Sequence, residues 1–331
     1  MFEIFQFGPL LLRSHILFLL IGIVLGADVF FRLANREGLR IILFLKNGWT
    51  FLISFLLGGR LLGMLLLYYA YTQDPMKVLI VWDGVFSITG GLVGIGLMLF
   101  IYTYRQRAQF LRWMDIYVPS ATIIVAFDWI GRFMGAVSYG KPTDAFWGIT
   151  MESIGVRYTV PIHPVQIYYA IWFLGLSFLL FHMRRRKQLN VLPARLYKIL
   201  GAKASSVQIH TSRSGMVTLV GIVLSCIGVI FLDFYRGDFA ITVFAKFIDF
   251  AFLALLFVSL GTISVMEKKI SNKHSMLNSI MVGMATMVYL IIRPYISIIS
   301  FEWRFSQFLS VLAVLVTIVY VVVHRWKYQN H

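Results

Sequence analysis

Nine stretches of the chain are apolar for long enough to cross the roughly 30 Å hydrocarbon core of a bilayer. They fall at 9–31, 49–71, 80–103, 113–135, 163–183, 215–236, 243–266, 277–299 and 305–324. Polar connections separate them, so the pattern predicts an all-α polytopic membrane protein of about nine transmembrane helices. The loops test that segmentation. Lysine and arginine number 4, 3, 8 and 3 in loops 32–48, 104–112, 184–214 and 267–276, with 2 more after residue 324. The alternate loops 72–79, 136–162, 237–242 and 300–304 carry 1, 2, 0 and 1. Basic loops stay on the cytoplasmic side. The alternation therefore puts the N-terminus outside the cytoplasm and the C-terminus inside it.

Composition agrees with this picture and narrows it. Of 331 residues, 59% are hydrophobic and only 13% charged, more apolar surface than a soluble fold of this size can hide. The net charge of +16 sits in short loops rather than on one face, which points to anionic lipid headgroups and argues against nucleic acid as a partner. Cys226 stands alone inside an apolar run, so no disulfide framework and no CxxC metal spacing is present. The first span lacks a basic lead-in and carries Arg13 and His15 near its start, unlike a cleaved signal peptide. The longest outer connection, 136–162, mixes turn formers with aromatics, as a loop packed over the membrane face would. Arg184-Arg185-Arg186-Lys187 opens the longest inner loop and reads as a topology anchor.

An ionisable group inside a span costs a few kcal/mol at the helix centre, which makes such residues candidates for function. His15, Asp83, Arg132, His163 and Arg236 all fall toward outer ends of spans, and Arg60 lies near the middle of span two among Gly58, Gly59 and Gly63. Headgroup snorkelling accounts for Arg13 and Arg293. Asp128 with Arg132 (i, i+4) and Asp233 with Arg236 (i, i+3) have the spacing of simple helical pairs. A polar lipid-headgroup pocket and a set of scattered structural pairs both fit these positions. Asp128 and Asp249 would also suit an ion-coupled transporter, but no internal repeat supports one.

Six ordered strings then carry a resemblance: Gly58-Gly59-Arg60-Leu61-Leu62-Gly63, Trp82-Asp83-Gly84 followed by Ile88-Thr89-Gly90-Gly91, Gly131-Arg132, Tyr139-Gly140-Lys141-Pro142-Thr143-Asp144, Pro161-Ile162-His163-Pro164-Val165-Gln166-Ile167-Tyr168, and Asp233-Phe234-Tyr235-Arg236-Gly237-Asp238. Together they resemble the prolipoprotein diacylglyceryl transferase family over roughly 8–266. The resemblance implies a seven-helix core at 1–266, including periplasmic loop 136–162, and an appended two-helix hairpin with a short cytoplasmic tail at 267–331. It implies transfer of the diacylglyceryl group of phosphatidylglycerol to the lipobox cysteine of a prolipoprotein signal peptide, among membrane lipids, with no cofactor and no metal. It further implies catalytic roles for Arg132, Arg236, His15 and His163. Substrate binding would then fall to Arg60, Thr89, Gly90, Gly91, Ser138, Tyr139, Gly140 and Asp233. The sequence departs from the family where Thr89 replaces a histidine proposed as base, where Asp233 replaces a glutamate, and where Gly135–Gly140 lacks two asparagines and a glutamate. A non-catalytic relative that binds anionic phospholipid or lipoprotein precursor is the alternative those departures leave open.

Overall fold

The computed structural model describes residues 4–7, 10–39, 41–66, 72, 76, 86–103, 107–153, 155–185, 188–190, 208–210, 214–239, 241–266, 272–297 and 300–329. Trp82, Asp83 and Gly84, and Arg186 and Lys187 of the basic run, lie outside them. The contacts divide the chain into two compact units, Met1–Phe239 and Ala240–His331.

The first unit opens with strands β1 (Ile4–Phe7) and β2 (Leu10–Arg13), paired antiparallel with Ile4 opposite Arg13. Helices α1 (Ser14–Arg36), α2 (Ile42–Lys46), α3 (Gly48–Leu66), α4 (Ile88–Thr103), α5 (Arg107–Met134) and α6 (Val165–Arg185) follow. A short antiparallel pair, β3 (Gln188–Asn190) with β4 (Gln208–His210), and helix α7 (Met216–Leu232) with a 3₁₀ turn at Asp233–Tyr235 complete the unit. Helix α1 thus starts five residues later than the hydropathy pattern suggested, because Leu10–Arg13 forms a strand instead. Arg13 itself is extended, at φ −66° and ψ 133°.

Helix α5 is the hub: α1, α4, α6 and α7 all pack against it. Pro119 lies inside it, and a proline has no N–H to offer the carbonyl four residues back. That carbonyl, on Asp115, instead accepts from Arg184 Nη1 at 2.9 Å. The Asp115 carboxylate caps the start of α7, taking Gly215 N at 2.6 Å, Thr218 N at 2.9 Å and Thr218 Oγ1 at 2.8 Å. Glu37 receives Arg184 Nη2 at 2.7 Å. These contacts bind one end of the bundle. Phe30, Phe44, Phe51, Trp113 and Tyr117 fill the interior beside them, with Tyr117 donating to the Leu92 carbonyl at 2.7 Å.

Helices α3 and α4 meet backbone to backbone. A Cβ at Gly90 would stand 2.4 Å from the Gly58 carbonyl oxygen, and one at Gly94 would stand 2.2 Å from that of Ser54. Only glycine permits so close an approach, the usual device for helix packing in lipid.

The second unit contains β5 (Thr242–Lys246), α8 (Phe247–Met266), α9 (Asn272–Ile292), a 3₁₀ turn at Arg293–Tyr295, β6 (Ser300–Arg304) and α10 (Phe305–Gln329). Strand β5 pairs antiparallel with β6, Thr242 opposite Arg304, and α8 packs on α10. Arg293, expected to reach for headgroups, donates instead to Asp249 through Nε at 2.8 Å and Nη2 at 2.9 Å. A helix therefore occupies each of the nine apolar segments. Among the described residues five are long and apolar enough to cross a membrane: Ser14–Arg36, Gly48–Leu66, Gln109–Met134, Val165–Arg184 and Met216–Tyr235. Four shorter apolar helices accompany them, at Ile88–Thr103, Phe247–Phe257, Ile280–Tyr295 and Phe305–Val321. The protein is mostly helical with short two-stranded pairs rather than wholly α, and multi-pass in character.

Candidate active site at the C-terminal end of α5

Helix α5 rises about 1.5 Å per residue, so its last turn lies some 25 Å from Asp115. Asp128, Trp129 and Arg132 lie in its last two turns. Asp128 is 4% exposed and bonded on both oxygens. Oδ1 lies 2.7 Å from His15 Nε2, and Oδ2 accepts from Arg132 Nε at 2.8 Å. The histidine reaches it because Gly131 admits the first turn of α1, where a Cβ would sit 2.8 Å from the His15 carbonyl oxygen.

Arg132 also donates from Nη1 to Ser138 Oγ at 3.0 Å, while Nη2 makes neither of these contacts. Ser138 is buried, and its backbone is left-handed at φ 60°, as is that of Ala136 at φ 50°. Such conformations cost non-glycine residues on the order of 1–3 kcal/mol and persist where the surroundings enforce them. Here Val137 N donates to the Arg132 carbonyl at 2.9 Å, and Gln166 Nε2 donates to the Val137 carbonyl at 3.0 Å. The turn is held from both sides, with the serine hydroxyl on the arginine.

Arg236 arrives from the segment after α7. Its Nη1 donates to Asp233 at 3.0 Å, and Nε and Nη2 grip Asp238 at 3.0 and 2.6 Å. Asp233 is 1% exposed and accepts from Tyr169 Oη at 2.7 Å. The Tyr169 ring stacks on Trp129 at 3.9 Å, nearly parallel. The same Trp129 ring has Arg132 Cζ at 5.2 Å and Arg236 Cζ at 5.5 Å from its centroid. The two guanidinium groups are therefore no further apart than those two distances combined. Cation–π attraction adds to what holds them there.

The loop after α5 closes over this arrangement by backbone pairing. Gly140 bridges Arg236, Lys141 N donates to the Tyr235 carbonyl at 2.8 Å, and Gly237 N donates to that of Tyr139 at 2.9 Å. On its other side His163 N donates to the Lys141 carbonyl at 2.9 Å. A Cβ on Gly140 would lie 2.1 Å from the His163 carbonyl oxygen, so a glycine is required where three backbone segments meet.

The structure thus brings together His15, Arg132, Ser138, Tyr139, Gly140, Arg236 and Asp233. His163 stands at the edge of this group, its Nδ1 3.3 Å from Tyr168 Oη and its ring 5.1 Å from that of Tyr235. The remaining expected residues sit in the α3–α4 pair. Gly90 and Gly91 are buried against α3, facing Gly58 and Phe55, so they set helix approach rather than line an open face. Thr89 is exposed in the first turn of α4, and Arg60 is half-buried on α3. The bonds and ring contacts from His15 to Asp238 run without passing through Arg60. Asp128 and Asp249, on which a transporter reading drew, are each bonded to an arginine. Trp129, Tyr169 and Asp238 enter as residues the sequence did not single out. Only Asp238 had a signal, its place beside Arg236 and Gly237.

A family model described as prolipoprotein diacylglyceryl transferase matches residues 3–266. Proteins named phosphatidylglycerol–prolipoprotein diacylglyceryl transferase are among the relatives. That of Synechococcus sp. is 28% identical over 58% of this chain and 71% of its own length. Those of Geobacter sulfurreducens and Pseudoalteromonas atlantica are 32% and 33% identical, each over 50% of this chain, and over 64% and 58% of their own lengths. The chain spans roughly two thirds of the curated relatives it matches.

Proposed function

The chain belongs to the prolipoprotein diacylglyceryl transferase family, and from that premise we propose that it transfers the diacylglyceryl group of phosphatidylglycerol to the thiol of a lipobox cysteine in a prolipoprotein signal peptide. The reaction takes place at the outer leaflet of the bacterial inner membrane. The chain crosses that membrane nine times, with a periplasmic N-terminus and a cytoplasmic C-terminus. Residues 1–266 form the transferase core, and 267–331 add a two-helix hairpin with a cytoplasmic tail.

The convergence of Arg132 and Arg236 on the Trp129 ring carries this reading. A phosphodiester that becomes a monoester gains negative charge on its leaving oxygens, and a preorganised guanidinium pair stabilises that charge. Arg132 is the more open of the two, its side chain 23% exposed against 17% for Arg236. Arg236 is held in place by Asp233 and Asp238, which also offset its charge. Ser138, Tyr139 and Gly140 hold the lip of the site. Gly90 and Gly91 keep α4 against α3, and Thr89 and Arg60 on that helix pair are assigned to substrate binding. His15 and His163 are the two imidazoles available for proton transfer.

Purified full-length protein in phosphatidylglycerol vesicles, given a lipobox peptide, should release glycerol phosphate and form a thioether. Absence of both products sinks the proposal. The alternative, a non-catalytic relative that binds anionic phospholipid or precursor, draws on Thr89 in place of a histidine and on the two carboxylates already holding Arg236. It predicts phosphatidylglycerol binding that weakens in Arg132→Ala, without turnover.

A further inference from the structure

Two imidazoles stand in the proposed site, and they differ in what lies behind them. His163 Nδ1 meets the Tyr168 hydroxyl at 3.3 Å. His15 Nε2 meets a buried carboxylate oxygen of Asp128 at 2.7 Å. An ionised carboxylate only accepts hydrogen bonds, so the proton of that bond resides on Nε2. A neutral imidazole has one proton, and Nδ1 is thereby left with its lone pair. The His15 side chain keeps 31% of its surface exposed. The other oxygen of the same carboxylate is bonded to Arg132 at 2.8 Å. One buried group therefore fixes the direction of both an imidazole and a guanidinium, from helices whose contact at Gly131 allows no slack.

We propose that His15 is the base that removes the lipobox thiol proton, with Asp128 as the residue that positions it and sets it beside Arg132. This rests on the transferase reading above. The thiol proton passes to His15 Nδ1, and the thiolate, the nucleophilic form, attacks the glyceryl carbon that bears the phosphate ester. The C–S bond forms as the C–O bond breaks, and the bonding pair leaves on the phosphate oxygen of glycerol phosphate. His15 then gives its proton to that phosphate monoester and returns to the neutral form.

The test compares two lipobox peptides, one with cysteine and one with selenocysteine at the reacting position, using the full chain in phosphatidylglycerol vesicles. A selenol is ionised at neutral pH and needs no base. His15→Gln, whose amide still donates to Asp128, should lose about 100-fold or more in turnover of the thiol peptide, the usual worth of a general base. Most of that loss should disappear with the selenol peptide, whose turnover also reports that the variant is folded. Asp128→Asn should show the same selective recovery with a smaller loss. His15→Asn serves as second variant where the glutamine form does not fold. Equal losses on both peptides, or no loss on the thiol peptide, overturn the assignment. Selective recovery in His163→Gln instead of the His15 variants overturns it too. Wild-type protein inert toward both peptides overturns the transferase reading and this assignment with it.

Discussion

The two units each contain an aspartate and an arginine joined within an apolar helical setting, yet the joints are built differently. In the second unit Asp249 is saturated. It accepts Nε and Nη2 of Arg293, the Tyr289 hydroxyl and the Lys246 backbone N–H. The Lys246 ammonium goes to the carbonyls of Arg293 and Ile296, at 3.0 and 2.6 Å. Every partner comes from α8, α9 or the segments flanking them, so the cluster ties that unit together. In the first unit Asp128 is divided between an imidazole and a guanidinium from different helices, and Arg132 ends on a serine held in a left-handed turn. Backbone strain there is directed at one guanidinium that still has donors to spare. Residue type is the same in both places. Saturation distinguishes a structural clamp from groups poised for a ligand.

The contrast breaks most directly at the arginines. Arg132→Ala should lower glycerol phosphate release by at least about 100-fold, the scale on which removal of one transition-state donor acts. The folded yield should fall less than in Arg236→Ala, since one carboxylate rather than two loses its cation and Asp128 keeps its bond to His15. Arg236→Ala should cost as much turnover and also lower the folded yield, because Asp233 and Asp238 lose their cation together. Arg293→Ala should leave turnover per folded molecule unchanged. Equal, mild losses at all three positions would remove the distinction between clamp and site. Next in size, Asp249→Asn should lower the thermal stability of the detergent-solubilised protein by about 2 kcal/mol, the scale of a hydrogen bond to a charged group. Its specific turnover should not change. A fall in turnover with no loss of stability would place Asp249 in function rather than in architecture. Smallest, Ser138→Ala removes one neutral partner from Arg132, worth about 1 kcal/mol. It should reduce turnover several-fold and raise KM for phosphatidylglycerol, as steady-state kinetics in mixed micelles would show.

How far the chain could be read without coordinates follows from the range of the forces involved. Hydropathy and loop charge are local sums, and each apolar segment they mark contains a helix. Exceptions lie at segment edges. Leu10–Arg13 and Thr242–Lys246 pair as strands because a partner strand satisfies backbone groups that a first helical turn would leave open. The pairs Asp128–Arg132 and Asp233–Arg236 were legible as well, since helix geometry fixes neighbours three and four residues apart.

Tertiary structure alone decided that His15 meets Asp128 across 113 positions of sequence, and that Trp129 lies against Tyr169 with an arginine from each of two segments beside it. It alone showed that Arg293 belongs to Asp249. Contacts of that kind depend on which helix faces meet, and in lipid those faces are chosen by small residues that let backbones approach. The sequence by itself determined where helices form and which residues are too polar to ignore. Close packing of those helices determined which of the polar residues share a partner, because a hydrogen bond is decided over less than an ångström and no local pattern in the chain specifies distance on that scale.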